Sequence, residues 1–443
     1  MTTATIVQPT KPQADKAAVP TQRLMSVDAL RGFDMFWITG AAGIVYALER
    51  MTQTPITTFL ATQLHHVEWE GLHFYDLIYP LFVFLMGVSM PFSLGRMIER
   101  DGRPRTLRRI VRRSILLFLI GIFYYGGLSD PWPNVRLLSV LSLFAASYLV
   151  GGILFCYFRP CTLAAIGVGI LIGYWALLRF VPIRNIQLDK ANFSRLAQAA
   201  GDPQTAALFR SSDKSERDDP FFTKNSTAMA AARRMFYATT TRVTGKFDEG
   251  LNLANHLDFE YLPGKKGGTF YDPEGYLPNI PAVVTCLLGI FAGLLLKNQT
   301  VPDLRKVAWL IGLGAVLAAL GWLWGTQFPV VKKLWSSSYV LVTGGYSAML
   351  LGVFYLIVDV WQIRAWCQPF VWMGMNSITI YVGTNVLGNW NRTASRFLGG
   401  DVKAFFDANV AKGFGDLVIS VGGLVLAFWF VNFLYRKKIF LRL

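Results

Sequence analysis

Charge is scarce in this sequence. Asp, Glu, Lys and Arg make up 16% of its 443 residues, against about 25% in an ordinary soluble domain, too little to clothe a globule of this size in water. Histidine is scarcer still, with four in the chain. The four cysteines, Cys156, Cys161, Cys286 and Cys367, lie in or beside apolar stretches without ligand-like pairing, so neither a zinc framework nor a disulfide scaffold is expected. The basic, apolar, small-residue order of a cleavable signal peptide is also missing, and the polar residues 1–22 are expected to be a disordered cytoplasmic tail. Alternating runs of about ten residues, which would mark barrel strands, are absent.

What is plentiful is apolar. AVILMFWYC account for 53% of the chain, gathered in blocks of about twenty residues, the length a helix needs to cross about 30 Å of hydrocarbon. Ten blocks can be marked: 27 to 49, 73 to 95, 109 to 126, 136 to 157, 161 to 181, 278 to 296, 305 to 325, 337 to 359, 369 to 388 and 414 to 435. The expected fold is all-α, a polytopic transmembrane bundle of about ten helices.

The net charge of +16 suggests a nucleic-acid partner, but its distribution argues against one. Eight arginines stand between Arg96 and Arg113, and the chain closes on Arg436-Lys437-Lys438, a positive-inside pattern. It places both termini on the cytoplasmic side of the membrane. Lys332 and Lys333 run against that pattern. The domains expected are a first transmembrane half over 23–181, an external insertion over 182–277 and a second half over 278–443. The insertion carries 13 basic and 12 acidic residues, nearly neutral, as a translocated segment can be.

Three of the four histidines stand together at the entrance to the second block, His65, His66 and His73, beside Glu68, Glu70 and Asp76. Clustering them at a membrane boundary is expensive unless they are used. Imidazole takes and returns a proton near neutrality, and a carboxylate can fix its tautomer. An interfacial helix cap, with Trp69 and Tyr75 as belt aromatics, is the plainer reading, and a metal shared by His73 and Asp76 is a third. Asp28, Arg31 and Asp34, three residues apart, form a neutralised stripe on one helix face; it either anchors the helix end, with Ser26 or Asp28 as N-cap, or grips a phosphorylated ligand through Arg31. Asp272-Pro273-Glu274-Gly275 suggests a shaped loop over an external cavity, or a simple turn. Asn376 and Ser377, inside the ninth block, either bind other helices or line a cavity. The arginine connector combines topogenic charge with lipid binding and attraction of a polyanion such as coenzyme A.

These same residues resemble a known family. Arg23 to Gly32, His66 with Trp69, Gly71, Leu72, Asp76, Leu77 and Pro80, Phe82 to Ser89, the Asp272–Gly275 loop, Gly374 to Ile378 and Leu434 to Phe440 together look like the heparan-α-glucosaminide N-acetyltransferase family of transmembrane acyltransferases, in particular its bacterial members. The resemblance implies transfer of an acetyl group from cytoplasmic acetyl-CoA to an amino sugar or glycan acceptor across the membrane, with His66 as base or acyl-carrying nucleophile. The chain departs from the family pattern at Ala41 to Gly43, Glu70 and His73. The expected catalytic residues are His66, Asp76 and Glu70. Asp28, Arg31, Asn376 and Ser377 are expected to bind acetyl-CoA, and Trp69, Asp272 and Glu274 the acceptor, with no metal and a monomer or homodimer in the lipid. The alternative from another class is a secondary transporter using Asp34, the histidines and Asp359 as a proton relay.

Overall fold

The computed structural model describes residues 24–127, 129, 134–210, 227–386 and 388–440; the tail expected over 1–22 lies outside them. The protein is an all-α polytopic membrane protein. Among the described residues, seven helices are long and apolar enough to cross a membrane, and the ten apolar blocks of the sequence are all helical. The difference between ten and seven lies in two blocks that break and two that join.

The first block runs through α1 (Met25–Phe36), a π-turn at Trp37–Ala41 and α2 (Ala42–Thr52), broken where Gly40 takes a φ of 150°. A short helix, α3 (Pro55–Gln63), follows. The second and third blocks then share one continuous segment, α4 (Phe74–Tyr124), interrupted only at Gly102, with φ 77°. Its two arms lie side by side. A side chain at Gly151 would meet Met90, and one at Gly152 would meet Ile110, whereas a straight helix would hold residues 90 and 110 about 30 Å apart. Next come α5 (Val140–Tyr157), opened by a reciprocal Ser139–Ser142 cap, and α6 (Pro160–Phe180), opened by proline at its first turn.

The described residues of 182–277 contribute a two-stranded antiparallel ribbon, Ile183–Arg184 with Arg242–Val243, and four short helices, α7 (Lys190–Ala199), α8 (Pro203–Arg210), α9 (Thr227–Ala238) and α10 (Leu253–Tyr261). Phe193, Phe236, Phe259 and Phe270 form a separate buried cluster there. The chain returns to the bundle with α11 (Asn279–Lys297), α12 (Asp303–Gly325) and α13 (Ser337–Phe354), the last continued by a π-segment to Val360. The ninth block is split at Asn376 into α14 (Gln368–Met375) and α15 (Ser377–Val386). Two short helices, α16 (Trp390–Leu398) and α17 (Gly400–Asn409), precede the final span, α18 (Phe414–Arg436).

In lipid, helices gain little from burying apolar surface against one another, so small residues that admit close backbone approach decide the contacts. The first arm of α4 meets α11 this way: side chains at Gly289 and Gly293 would strike the carbonyl oxygens of Phe84 and Val88 at 2.0 and 2.4 Å. α1 meets α14 through Gly32 and Gly374, where added Cβ atoms would lie 1.7 Å from the Phe370 oxygen and 1.8 Å from the Asp28 oxygen. Because these obstacles are backbone, Gly374→Ala is expected to force the two helices apart and cost about 1–3 kcal/mol. Thermal unfolding in detergent measures this, and an unchanged midpoint would refute the tight contact.

Helix α1 is not capped by its own side chains. Neither Ser26 nor Asp28 occupies the N-cap, which is Leu24. The carboxylate of Asp359, at the end of the π-segment after α13, instead accepts the backbone N–H groups of Met25 at 3.3 Å and Ser26 at 3.1 Å. An acid at a helix N-terminus satisfies orphan donors and favours the helix dipole. Asp359 is therefore engaged as a helix cap.

Candidate active site

The loop from His65 to His73 descends onto the start of α4 and is held there by two attachments. Its first attachment is short strand-like pairing with the segment before α13: Glu70 bridges Val331, and the Gly71 N–H donates to the Val330 carbonyl at 2.9 Å, with Gly71 at φ 118°, a backbone that glycine adopts without strain. Its second is the Asp76 carboxylate. Oδ2 accepts the backbone N–H groups of Val67 and His73, each at 3.2 Å, while Oδ1 stands 2.7 Å from Nδ1 of His66. The Tyr339 hydroxyl donates to the Asp76 main-chain carbonyl at 2.8 Å.

The ionised carboxylate accepts only, so it selects the imidazole tautomer with hydrogen on Nδ1 and leaves a lone pair on Nε2. The Asp76 side chain is 1% exposed and that of His66 51%. The acid is thus fixed in the protein and the ring faces open space. The carboxylate touching the imidazole is Asp76, not Glu70, whose side chain is exposed and which pairs through its backbone alone. His65 stacks on Tyr46 at 4.6 Å between ring centres, and its carbonyl lies 2.9 Å from Nδ1 of His73. The three histidines therefore have separate surroundings. Among the described residues no three His, Cys, Asp or Glu side chains are gathered to hold a metal ion.

The open space is a cavity of about 500 Å³. His66, Tyr75, Glu274 and Lys332 line one end of it, and Arg31, Ser89, Ser93 and Arg113 another part. Tyr75 and Ser93 are both on the first arm of α4, so the cavity extends about 27 Å along that helix, close to the thickness of a bilayer core. Arg31 donates to Ser89 Oγ at 2.9 Å and lies 3.5 Å from Asp28. Arg113 lies over the Tyr148 ring at 4.6 Å, and its Nε is buried without a hydrogen-bond partner.

Of the four residues expected to bind the donor, Arg31, Asn376 and Ser377 line this cavity and Asp28 does not. Asn376 is buried, with Oδ1 unpartnered. Asp34 is buried in α1 away from the cavity wall.

Of the acceptor candidates, Glu274 alone lines the cavity. Asp272 is buried and committed to Arg136, whose Nε and Nη2 reach its two oxygens at 3.2 and 3.1 Å; the same Nη2 reaches Glu274 Oε2 at 2.8 Å. Burial and, next, the Asp272 carboxylate push Glu274 up to about 7. The Arg136 guanidinium is itself buried, yet the two carboxylates hold it above its ordinary value. Trp69 faces the insertion: its Nε1 donates to the Phe247 carbonyl at 2.8 Å and its ring packs edge-on to Tyr271.

Two residues of the site escape a reading of the sequence. Arg136 stands 136 positions from Asp272, and nothing near it in the chain marks it. Lys332, 266 positions from His66, places Nζ 3.0 Å from Nδ1 and 3.4 Å from Nε2 of that ring, and 3.2 Å from Asp76 Oδ1. Burial lowers the Lys332 amine from its ordinary value, and Asp76 opposes this. Its signal in the sequence is its failure to fit the charge pattern of the loops.

Residues 23–180 match a family described as a domain of unknown function (DUF5009). The heparan-alpha-glucosaminide N-acetyltransferase of Mus musculus is 31% identical over 350 residues, covering 73% of this chain and 49% of the relative. Its Homo sapiens counterpart is 30% identical over 365 residues, with the same two shares. The chain spans about half the length of these curated relatives. Over that shared region, the chain belongs to the heparan-α-glucosaminide N-acetyltransferase family.

Proposed function

We propose that this protein is a transmembrane acetyltransferase that moves an acetyl group from acetyl-CoA, entering at the Arg31 and Arg113 end of the cavity, to an amino sugar or glycan presented at the His66 end. The observation that carries the reading is one cavity, extending about 27 Å along α4 from Tyr75 to Ser93, lined at one end by a carboxylate-oriented imidazole and elsewhere by two arginines. Arginine forks suit phosphate groups, and the apolar stretch between, with Phe82 and Met86, suits a pantetheine arm.

The chemistry follows from the tautomer. In direct transfer, Nε2 of His66 removes a proton from the acceptor amine as its nitrogen attacks the thioester carbon. The C–S bond breaks, the acetyl group passes to nitrogen, and the proton is returned to sulfur as CoA leaves. In the two-step route, Nε2 attacks the thioester carbon, the C–S bond breaks and CoA leaves as thiolate; the acceptor nitrogen then attacks the acetyl carbon, the bond to Nε2 breaks, and the proton lost by the amine ends on the thiolate. Asp76 stabilises the imidazolium in either route. Glu274, beside the ring end, offers a carboxylate to an acceptor amine or hydroxyl. The resemblance to bacterial family members favours a bacterial inner-membrane location, and the charge pattern of the loops supports both termini and the Arg31 end lying in the cytoplasm.

The test uses purified protein in nanodiscs with radiolabelled acetyl-CoA and glucosamine. Labelled N-acetylglucosamine is the expected product. No acetyl transfer to any amino sugar, together with no acetyl-CoA binding by calorimetry, would overturn the assignment.

A further inference from the structure

We propose that the Lys332 ammonium is a catalytic residue of this site, the group that receives the negative charge developing on the thioester carbonyl oxygen. The inference rests on the acetyltransferase reading and adds a residue to it. It starts from position. Val330 and Val331 pair with Gly71 and Glu70, so the next residue, Lys332, emerges beside the histidine loop. The single turn Lys332–Leu334 then fixes its direction, with Leu334 and Trp335 buried behind it. The lysine is held by packing on one side and by Asp76 on the other.

Its place relative to the ring decides its role. Nζ lies within 3.4 Å of both imidazole nitrogens and lines the cavity with His66. Asp76 occupies Nδ1 through a shorter contact, which leaves Nε2 for the reacting partners. Any carbonyl brought to Nε2, whether attacked by the ring or by an acceptor amine that the ring deprotonates, has its oxygen within a few ångströms of that ammonium. In the tetrahedral intermediate the C=O π pair becomes a lone pair on oxygen; on collapse it re-forms the carbonyl as the C–S bond breaks and the electrons leave with sulfur. Lys332 keeps its protons throughout and acts by charge, so both routes use it equally. A cation held in place beforehand stabilises such an oxyanion without having to reorganise. Asn376, which also lines the cavity, follows Gly374, the residue packed against α1, and its amide donates to the Trp372 carbonyl at 3.3 Å.

The experiment compares wild type with Lys332→Met and Lys332→Arg in nanodiscs, following [14C]acetyl transfer to glucosamine and acetyl-CoA binding. Removing one such stabilising group costs about 10²–10³ in kcat. Lys332→Met is therefore expected to lose kcat by that factor while KM and Kd for acetyl-CoA stay within about threefold. Lys332→Arg keeps the charge and the Asp76 pair, and is expected to retain at least about a tenth of wild-type kcat. Lys332→Met with kcat within threefold of wild type, or with its loss confined to KM, overturns the proposal. If Lys332→Met does not fold, Lys332→Arg decides: a folded, acetyl-CoA-binding Arg variant whose kcat falls more than a hundredfold overturns it. Wild type without acetyl transfer would instead remove the acetyltransferase reading itself.

Discussion

His66→Ala is expected to lower acetyl transfer by roughly 10³-fold or more while leaving acetyl-CoA binding within about threefold, because the ring contributes proton transfer or the covalent step and not the donor's grip. Asp76→Asn tests the tautomer. Its amide can present N–H where the carboxylate accepted, which moves the imidazole hydrogen to Nε2 and removes the charge that stabilises the imidazolium; a loss of about 10²–10⁴ in kcat is expected. Single-turnover acetylation of glucosamine measures both. A His66→Ala enzyme with wild-type turnover would remove the ring from the mechanism, and Asp76→Asn at full rate would remove the orienting role.

Arg136→Ala is expected to cost about 3–5 kcal/mol, because it leaves the buried Asp272 carboxylate without its cation. The same change strips the guanidinium from the Tyr125 ring, 4.3 Å away, and frees the arm of Glu274 that lines the cavity. The loss depends on pH with a definite sign. Glu274 rises from 4.5 to about 7 on folding, so the folded chain binds this proton more tightly than the unfolded chain. Its contribution is greatest below about pH 4.5 and declines as pH rises through 7. Without Arg136 that decline is expected to steepen, since Asp272 and Glu274 then repel unscreened. Thermal unfolding of the nanodisc-bound variant between pH 5 and 8 measures this, and a midpoint matching wild type at pH 8 would show that the triad contributes nothing.

Much of this was legible in the residues because membranes impose a simple length rule. Each apolar block of about twenty residues became helix, and His66 with Asp76 could be paired because the acid stands at a helix entrance ten positions on. Helix breaks were less legible. Gly40 and Asn376 interrupt apolar runs that read as continuous, and Gly102 sits inside a basic connector that reads as loop and folds as helix on either side. Charge near the histidine could be guessed, but which charge could not. Glu70 is nearer to His66 in the chain than Asp76 is, yet the Val331 pairing commits its backbone and its side chain is exposed. Lys332 and Arg136 reach the site through tertiary contacts that no local pattern encodes.

The backbone clasp between Gly71 and Val330 also bears on how the molecule is made. Ribosomes deliver the histidine loop to the translocon some 260 residues before its clasp partner exists, and Arg136 likewise waits for Asp272. A nascent chain arrested before Val330 would therefore hold an imidazole with neither its backing strand nor its lysine. The loop gains its clasp and its lysine only after about three quarters of the 443 residues have been made.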